Sequence, residues 1–467
     1  MNPTDSLHYL TLAELAGLIR TRAVSPVEIV TAQLNRIQEL DGTFHAYALV
    51  TTESALAQAR TAEAEILAGR YRGPLHGVPF AVKDLFCVKG TRTQGGLKRL
   101  FGHIPELDAA AVSRLKDAGA ILLGKTHTTE GAMDGYHRDF PIPLNPWGAD
   151  RWPGVSSSGS GVAVAAGMCY ASLGTDTGGS IRIPSAANGI VGLKPTRGLV
   201  STEGVLPLAP SFDHVGPMAR SVGDAAALLR AFAARDEPAP GIEGVRIGFD
   251  EKLCRDGVQP YVTEAVWQAV QVLQKQGARV VPASLPALEE VSRIWYTIAA
   301  REAVLLHEDI YPSQASEFGA PEYGEGFRAF LERGRAVSAA EYDAAQRDLS
   351  EWIARTTECF REFDVLACPT LPDEAFRYNP EDAYRGPDLA NGSSDGIPAA
   401  FLAAMDRLML PVNLNGYPSL SLPCGVSPAG MPLGLQLVGR PHSEPLLLLC
   451  GTALEHETVW HLRHPPV

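Results

Sequence analysis

The sequence is short of everything that would tie it to an oxidising compartment, a membrane or a polyanion. Its seven cysteines are scattered at 87, 169, 254, 359, 368, 424 and 450, odd in number and without a C-x-x-C pair, so a disulfide framework is not expected. Most sit in apolar company, as in Val365-Leu366-Ala367-Cys368, where cysteine acts as a small core residue. Positive charge is in deficit: 40 Lys and Arg against 53 Asp and Glu leave a net charge of −13. That balance argues against nucleic acid or an anionic membrane as a main partner, because both require a basic face. No apolar run approaches the roughly 20 residues of a spanning helix. The first twenty residues carry Asp5 and Glu14 and lack the basic head and apolar block of a signal peptide. A soluble, cytoplasmic protein is expected.

What is present is ordinary globular material, 467 residues with 45% hydrophobic and 20% charged side chains, enough for a large core. Length alone would suggest about three domains at roughly 150 residues each, although large α/β enzymes exceed that as one unit. Residues 25–40 predict a helix, with Ser25 as N-cap, Pro26 in the first turn and Ile29, Leu34, Ile37 and Leu40 on one face. Helical patterns recur at 52–68, 108–118, 163–170, 262–276 and 340–360. A buried strand is predicted at 78–82, with further strands at 121–124, 278–281 and 364–368. This alternation predicts an α/β architecture, a central mixed and mostly parallel twisted sheet with helices on both faces. Catalytic loops are then expected at strand ends. Residues 235–244 are the best linker candidate, and no repeat or low-complexity tract is visible.

Chemistry concentrates between Lys83 and Pro184. Lys83 follows the apolar run Val78-Pro79-Phe80-Ala81-Val82; one serine-rich loop spans Gly154-Val155-Ser156-Ser157-Ser158-Gly159-Ser160-Gly161, and a second runs Gly174-Thr175-Asp176-Thr177-Gly178-Gly179-Ser180-Ile181-Arg182. No histidine lies in either loop. A buried lysine loses its charge readily and can act as a base. Glycines at 178 and 179 let successive N–H groups converge on an oxyanion. A serine, a lysine and such a nest suffice for acyl transfer without a histidine triad. Each piece also has a bland reading: a surface lysine, a turn, an ordinary ion pair for Arg182. The loop at 156–161 could hold phosphate, but lacks the Gly-Lys-Ser/Thr ending of a P-loop.

Taken jointly, these blocks resemble the amidase signature family of Ser–cis-Ser–Lys hydrolases. The likeness continues through Asn188 to Thr196, Asp213 to Arg220, Gly416 to Pro423 and Gly434 to Arg440, nearly the whole chain. The resemblance implies one amidase domain over 1–467, with its signature core at about 75–220. It implies Ser180 as nucleophile, Lys83 as base and Ser156 as the bridging serine preceded by a cis peptide. Thr177, Gly178, Gly179 and Ser180 would form the oxyanion hole, supported by Ser157, Asp176 and Arg182. Val155 and Ser158 depart from the family pattern, standing where many members have glycine. No metal or cofactor is assigned, and the partner is a small-molecule amide.

The pocket is less legible. Met133 and Tyr136 are candidate substrate-binding residues. The stretches 293–330 and 370–400 are expected to cover the site, with Trp295, Tyr311, Tyr323 and Phe327 as wall or core residues. An aryl or medium-length acyl amide is the expected substrate, with esters and carbamates accessible to the same chemistry. Two alternatives stay open: a glutaminase-type subunit of a tRNA-dependent amidotransferase, and an inactive binding or scaffold protein on a hydrolase fold. A homodimer is compatible with the sequence, which does not fix oligomeric state.

Overall fold

Apolar segments too short to span a membrane and too numerous to stay exposed gather here into one large sheet. In this computed structural model residues 7–133, 135–233, 241–310, 322–388 and 393–467 are described. Part of the 235–244 linker candidate, and Tyr311, therefore lie outside the described residues. The strands are β1 (Tyr47–Val50), β2 (Pro79–Lys83), β3 (Ile121–Thr126), β4 (Ala171–Thr175), β5 (Val191–Lys194) and β6 (Val215–Ala219). They continue with β7 (Arg246–Phe249), β8 (Arg279–Pro282), β9 (Val365–Pro369), a short ribbon of β10 (Pro387–Asp388) and β11 (Ser393–Ser394), β12 (Ser419–Val426) and β13 (Pro432–Gly439). Eleven of them form a sheet ordered β1-β3-β2-β4-β6-β5-β12-β13-β9-β7-β8.

The mixed sheet is as expected; the predominance of parallel pairing is not. Parallel pairs occur at β3-β2-β4 and at β9-β7-β8, near the two ends. Between them, and at the β1 edge, every pairing is antiparallel. Strands buried on both faces read as unbroken apolar runs whichever way they point, so direction is set by connections. The β12–β13 hairpin turns back within a few residues, which permits only the antiparallel arrangement.

The helices largely follow their local signals. Ser25 caps Pro26–Phe44 through a capping box with Glu28, and 52–67, 260–275 and 339–359 are helical near their expected bounds. The small-residue helix begins earlier than predicted, at Ser158, and ends at Ala165. A layer built from Val291–Ile310, Glu325–Ala336, Ala339–Cys359 and Ala399–Asn415 covers the face of the site. It has an apolar core of its own around Ile294, Trp295, Ile298, Phe327, Phe330 and Trp352.

Candidate active site

Two neighbouring parallel strands bring the chemistry together. β2 and β4 run in register with Val82 opposite Leu173, so Lys83 and Thr175 leave the sheet at the same edge. Crevices beyond the carboxyl ends of parallel strands are where α/β proteins place their loops. Lys83 is completely buried. Its Nζ lies 2.6 Å from Ser156 Oγ and 2.9 Å from Thr175 Oγ1. Burial disfavours the ammonium and lowers its pKa to about 7, against the opposing pull of the Asp176 and Asp213 carboxylates. Near neutrality a large share of the amine is therefore unprotonated, with a lone pair available.

Ser156 enters through a cis Val155–Ser156 peptide, as the resemblance implied. Its carbonyl accepts from Thr128 Oγ1 at 3.0 Å and from the Thr129 N–H at 3.3 Å. Ser157 ties the two loops together: its N–H donates to the Ser180 carbonyl and its hydroxyl to the Thr175 carbonyl, both at 3.3 Å. The departures from the family pattern find uses. Ser158 Oγ meets the Tyr136 hydroxyl at 2.6 Å, and Val155 lines the cavity beside Ser180. Tyr136 is buried and braces the serine loop through that contact.

The loop from Asp176 to Arg182 is shaped by one carboxylate. Asp176 Oδ1 accepts the Gly179 N–H at 2.8 Å and Oδ2 accepts the Ile181 N–H at 3.2 Å. The N–H groups on either side of Gly179, at Gly178 and Ser180, find no acceptor among the described residues. Gly178 and Ser180 are also the residues of this loop that keep contact with solvent. The alternation narrows the expected donor set, since the Gly179 N–H is already engaged. Gly179 supplies conformation instead, at φ +121°, where a side chain would be strained.

Asp176 and Arg182 form a wholly buried two-pronged ion pair at 3.0 Å. Burial pushes the Asp176 carboxyl up, but Arg182 and Lys194 outweigh it and hold it far below the usual carboxylate range. The guanidinium is completed by Asn413 Oδ1 and Gln436 Oε1, each at 2.6 Å. Arg182 is thus a structural clamp, its donors turned inward. Thr177 is fixed at both ends: its hydroxyl donates to Asp213 Oδ1 at 2.6 Å and its carbonyl accepts from Trp295 Nε1 at 2.8 Å.

A narrow cavity of about 40 Å³ lies against Ser180, walled by Met133, Val155, Thr177, Gly178, Trp295 and Met405 among others. It shares Met133, Tyr296, Leu402 and Asp406 with a much wider cleft of about 1280 Å³. Tyr296, Gly326, Ala329, Phe330, Ser393 and Asp395 contribute to that cleft. Tyr323 and Phe327 instead pack in the helical core. Sequence reasoning missed Thr175, Asn413 and the Trp295 contact. Only Thr175 left a local trace, standing one residue before Asp176 in the second loop. Among the described residues no group of three or more His, Cys, Asp or Glu side chains is placed to hold a metal ion.

Known proteins resemble this chain over most of its length. The family model named Amidase matches residues 28–448. AmiD of Mycobacterium tuberculosis, named as an amidase, is 38% identical over 99% of this chain and 97% of its own length. A glutamyl-tRNA(Gln) amidotransferase subunit of a Roseiflexus species is also 38% identical, over 98% of each chain. The crystal structure of the peptide amidase of Stenotrophomonas maltophilia superposes with a TM-score of 0.78 at 31% identity, covering 98% of both chains. With a family model matched over most of its length and relatives of this identity end to end, the chain belongs to the amidase family of amide-hydrolysing enzymes.

Proposed function

We propose that this protein hydrolyses a small carboxylic amide to acid and amine through an acyl-enzyme on Ser180. The observation that carries the reading is the 2.6 Å contact between the buried Lys83 amine and Ser156 Oγ, beside a loop whose unengaged N–H groups flank Ser180. Ser180 Oγ attacks the amide carbon as its proton passes to Ser156, whose own proton passes to Lys83. The carbonyl π pair moves onto oxygen, and the oxyanion is held by the N–H groups of Thr177, Gly178 and Ser180. Losing one such donor typically costs about 10²–10³ in rate. Collapse breaks the C–N bond while the relay returns a proton to the departing nitrogen. Water, deprotonated by the same relay, then cleaves the ester and restores Ser180.

The narrow cavity favours a slim acyl or aryl group at the carbonyl, and the wide cleft accommodates the rest of the molecule. Ester and carbamate substrates require no change in the relay. The test is peptide mapping after treatment with a small fluorophosphonate, beside a Lys83→Ala control. An adduct on Ser180 that vanishes in the control supports the reading. A Lys83→Ala enzyme with full turnover overturns it.

A second reading rests on the amidotransferase relatives, one of which is 38% identical to this chain, as AmiD is. It requires glutaminase activity and co-purification with partner proteins. Turnover by the isolated chain on simple amides, with glutamine ignored, would remove it.

A further inference from the structure

We infer that Trp295 is a positioning residue for the oxyanion site, fixing from the covering helical layer the peptide that presents the Gly178 N–H. The inference rests on the proposed Ser180 acyl-enzyme. Trp295 lies on the helix Val291–Ile310 and is buried. A buried indole N–H must find an acceptor, and this one takes the Thr177 carbonyl at 2.8 Å. Thr177 C=O and Gly178 N–H belong to the same planar trans peptide, so they point in opposite directions. Holding the carbonyl therefore sets the direction of the N–H, and among the described residues no other donor bonds that carbonyl.

A second observation is independent of the first. The indole ring is pressed so closely on Gly178 that a Cβ there would stand 3.0 Å from Trp295 Cζ2. A side chain at 178 would have to push the ring aside by a few tenths of an ångström. The ring is itself held in place, stacked on Phe212 at 6.4 Å between centroids and edge-on to Tyr296 at 4.8 Å. Trp295 also walls the narrow cavity. A substrate that displaces the helix Val291–Ile310 thereby re-aims an oxyanion donor, which ties recognition in the wide cleft to the rate of acyl transfer.

The experiment compares Trp295→Phe, which keeps a ring and deletes the N–H, with Leu349→Ala, which loosens the core of the same helical layer and keeps the N–H. Two readouts are taken: the rate of Ser180 phosphonylation by a small fluorophosphonate, and the thermal melting midpoint. For any amide that the parent turns over, kcat and KM are added. In Trp295→Phe, phosphonylation and kcat should fall about 10- to 100-fold, with KM within about 2-fold. In Leu349→Ala the melting midpoint should drop while phosphonylation stays near the parent rate. Unchanged phosphonylation in Trp295→Phe, or equal losses in both variants, overturns the inference and leaves the acyl-enzyme reading standing. A parent whose Ser180 is never labelled overturns both.

Discussion

Thr175 Oγ1 and Lys83 Nζ, delivered by adjacent parallel strands, sit 2.9 Å apart with both side chains out of solvent. A neutral amine has two protons to give and one lone pair to offer. Donation to Thr175 turns the lone pair toward Ser156, so the threonine sets the direction in which the base works. Thr175→Val, nearly isosteric, should lower kcat/KM about 10-fold with little change in KM. An unchanged rate would show that the lysine is oriented by Ser156 alone.

The pH profile follows from the Lys83 environment, in which Ser156, Thr175 and the Asp176 and Asp213 carboxylates bear on the amine. Its folded pKa of about 7 lies below the ordinary lysine value of 10.5. The working form is the deprotonated one, so kcat/KM should climb through about pH 7 to an alkaline plateau. At pH 5 only about 1 in 100 amines is neutral, and the rate should be lower by a similar factor. A rate flat down to pH 5 would contradict a lysine base. The unfolded chain holds the extra proton between these two values, so this group makes stability rise with pH across that window. Lys83→Met should flatten that dependence while abolishing turnover.

Asp176→Asn is expected to do more damage than a typical core change. It leaves the buried Arg182 guanidinium without its counter-charge and removes an acceptor for the Gly179 and Ile181 N–H groups. Breaking a buried pair from one side costs about 3–5 kcal/mol. The variant should melt well below the parent and show weak labelling of Ser180. Denaturant titration beside the labelling assay checks both.

Met133 stands where the narrow cavity meets the wide cleft. Met133→Trp should cut kcat/KM for extended amides more than about 10-fold, while a small fluorophosphonate still reaches Ser180. Equal losses for probe and substrate would mean that the serine loop itself had moved.

Much of the chemistry could be found without coordinates, because it is written locally. Lys83 closes an apolar run that can only be a buried strand, and Gly178-Gly179 before Ser180 requires an unusual backbone. Helix bounds followed from caps such as Ser25 with Glu28. Strand direction did not, since β4, β6 and β5 are buried on both faces and their sequences carry no sign of antiparallel pairing. The contact of Tyr136 with Ser158 was equally invisible, since an aromatic near a site reads the same whether it walls the pocket or braces a loop.

The chain order alone therefore determined the reagents: a lysine with no solvent, two serine loops, and glycines where N–H groups must converge. Only the tertiary structure decided which N–H groups stay open. That choice depends on Asp176 reaching Gly179, on Asn413 and Gln436 closing around Arg182 from more than 200 residues away, and on Trp295 arriving from a separate helical layer. Hydrogen bonds across such separations leave no periodicity in the sequence. They exist only once the sheet has closed and burial leaves each polar group no partner but another.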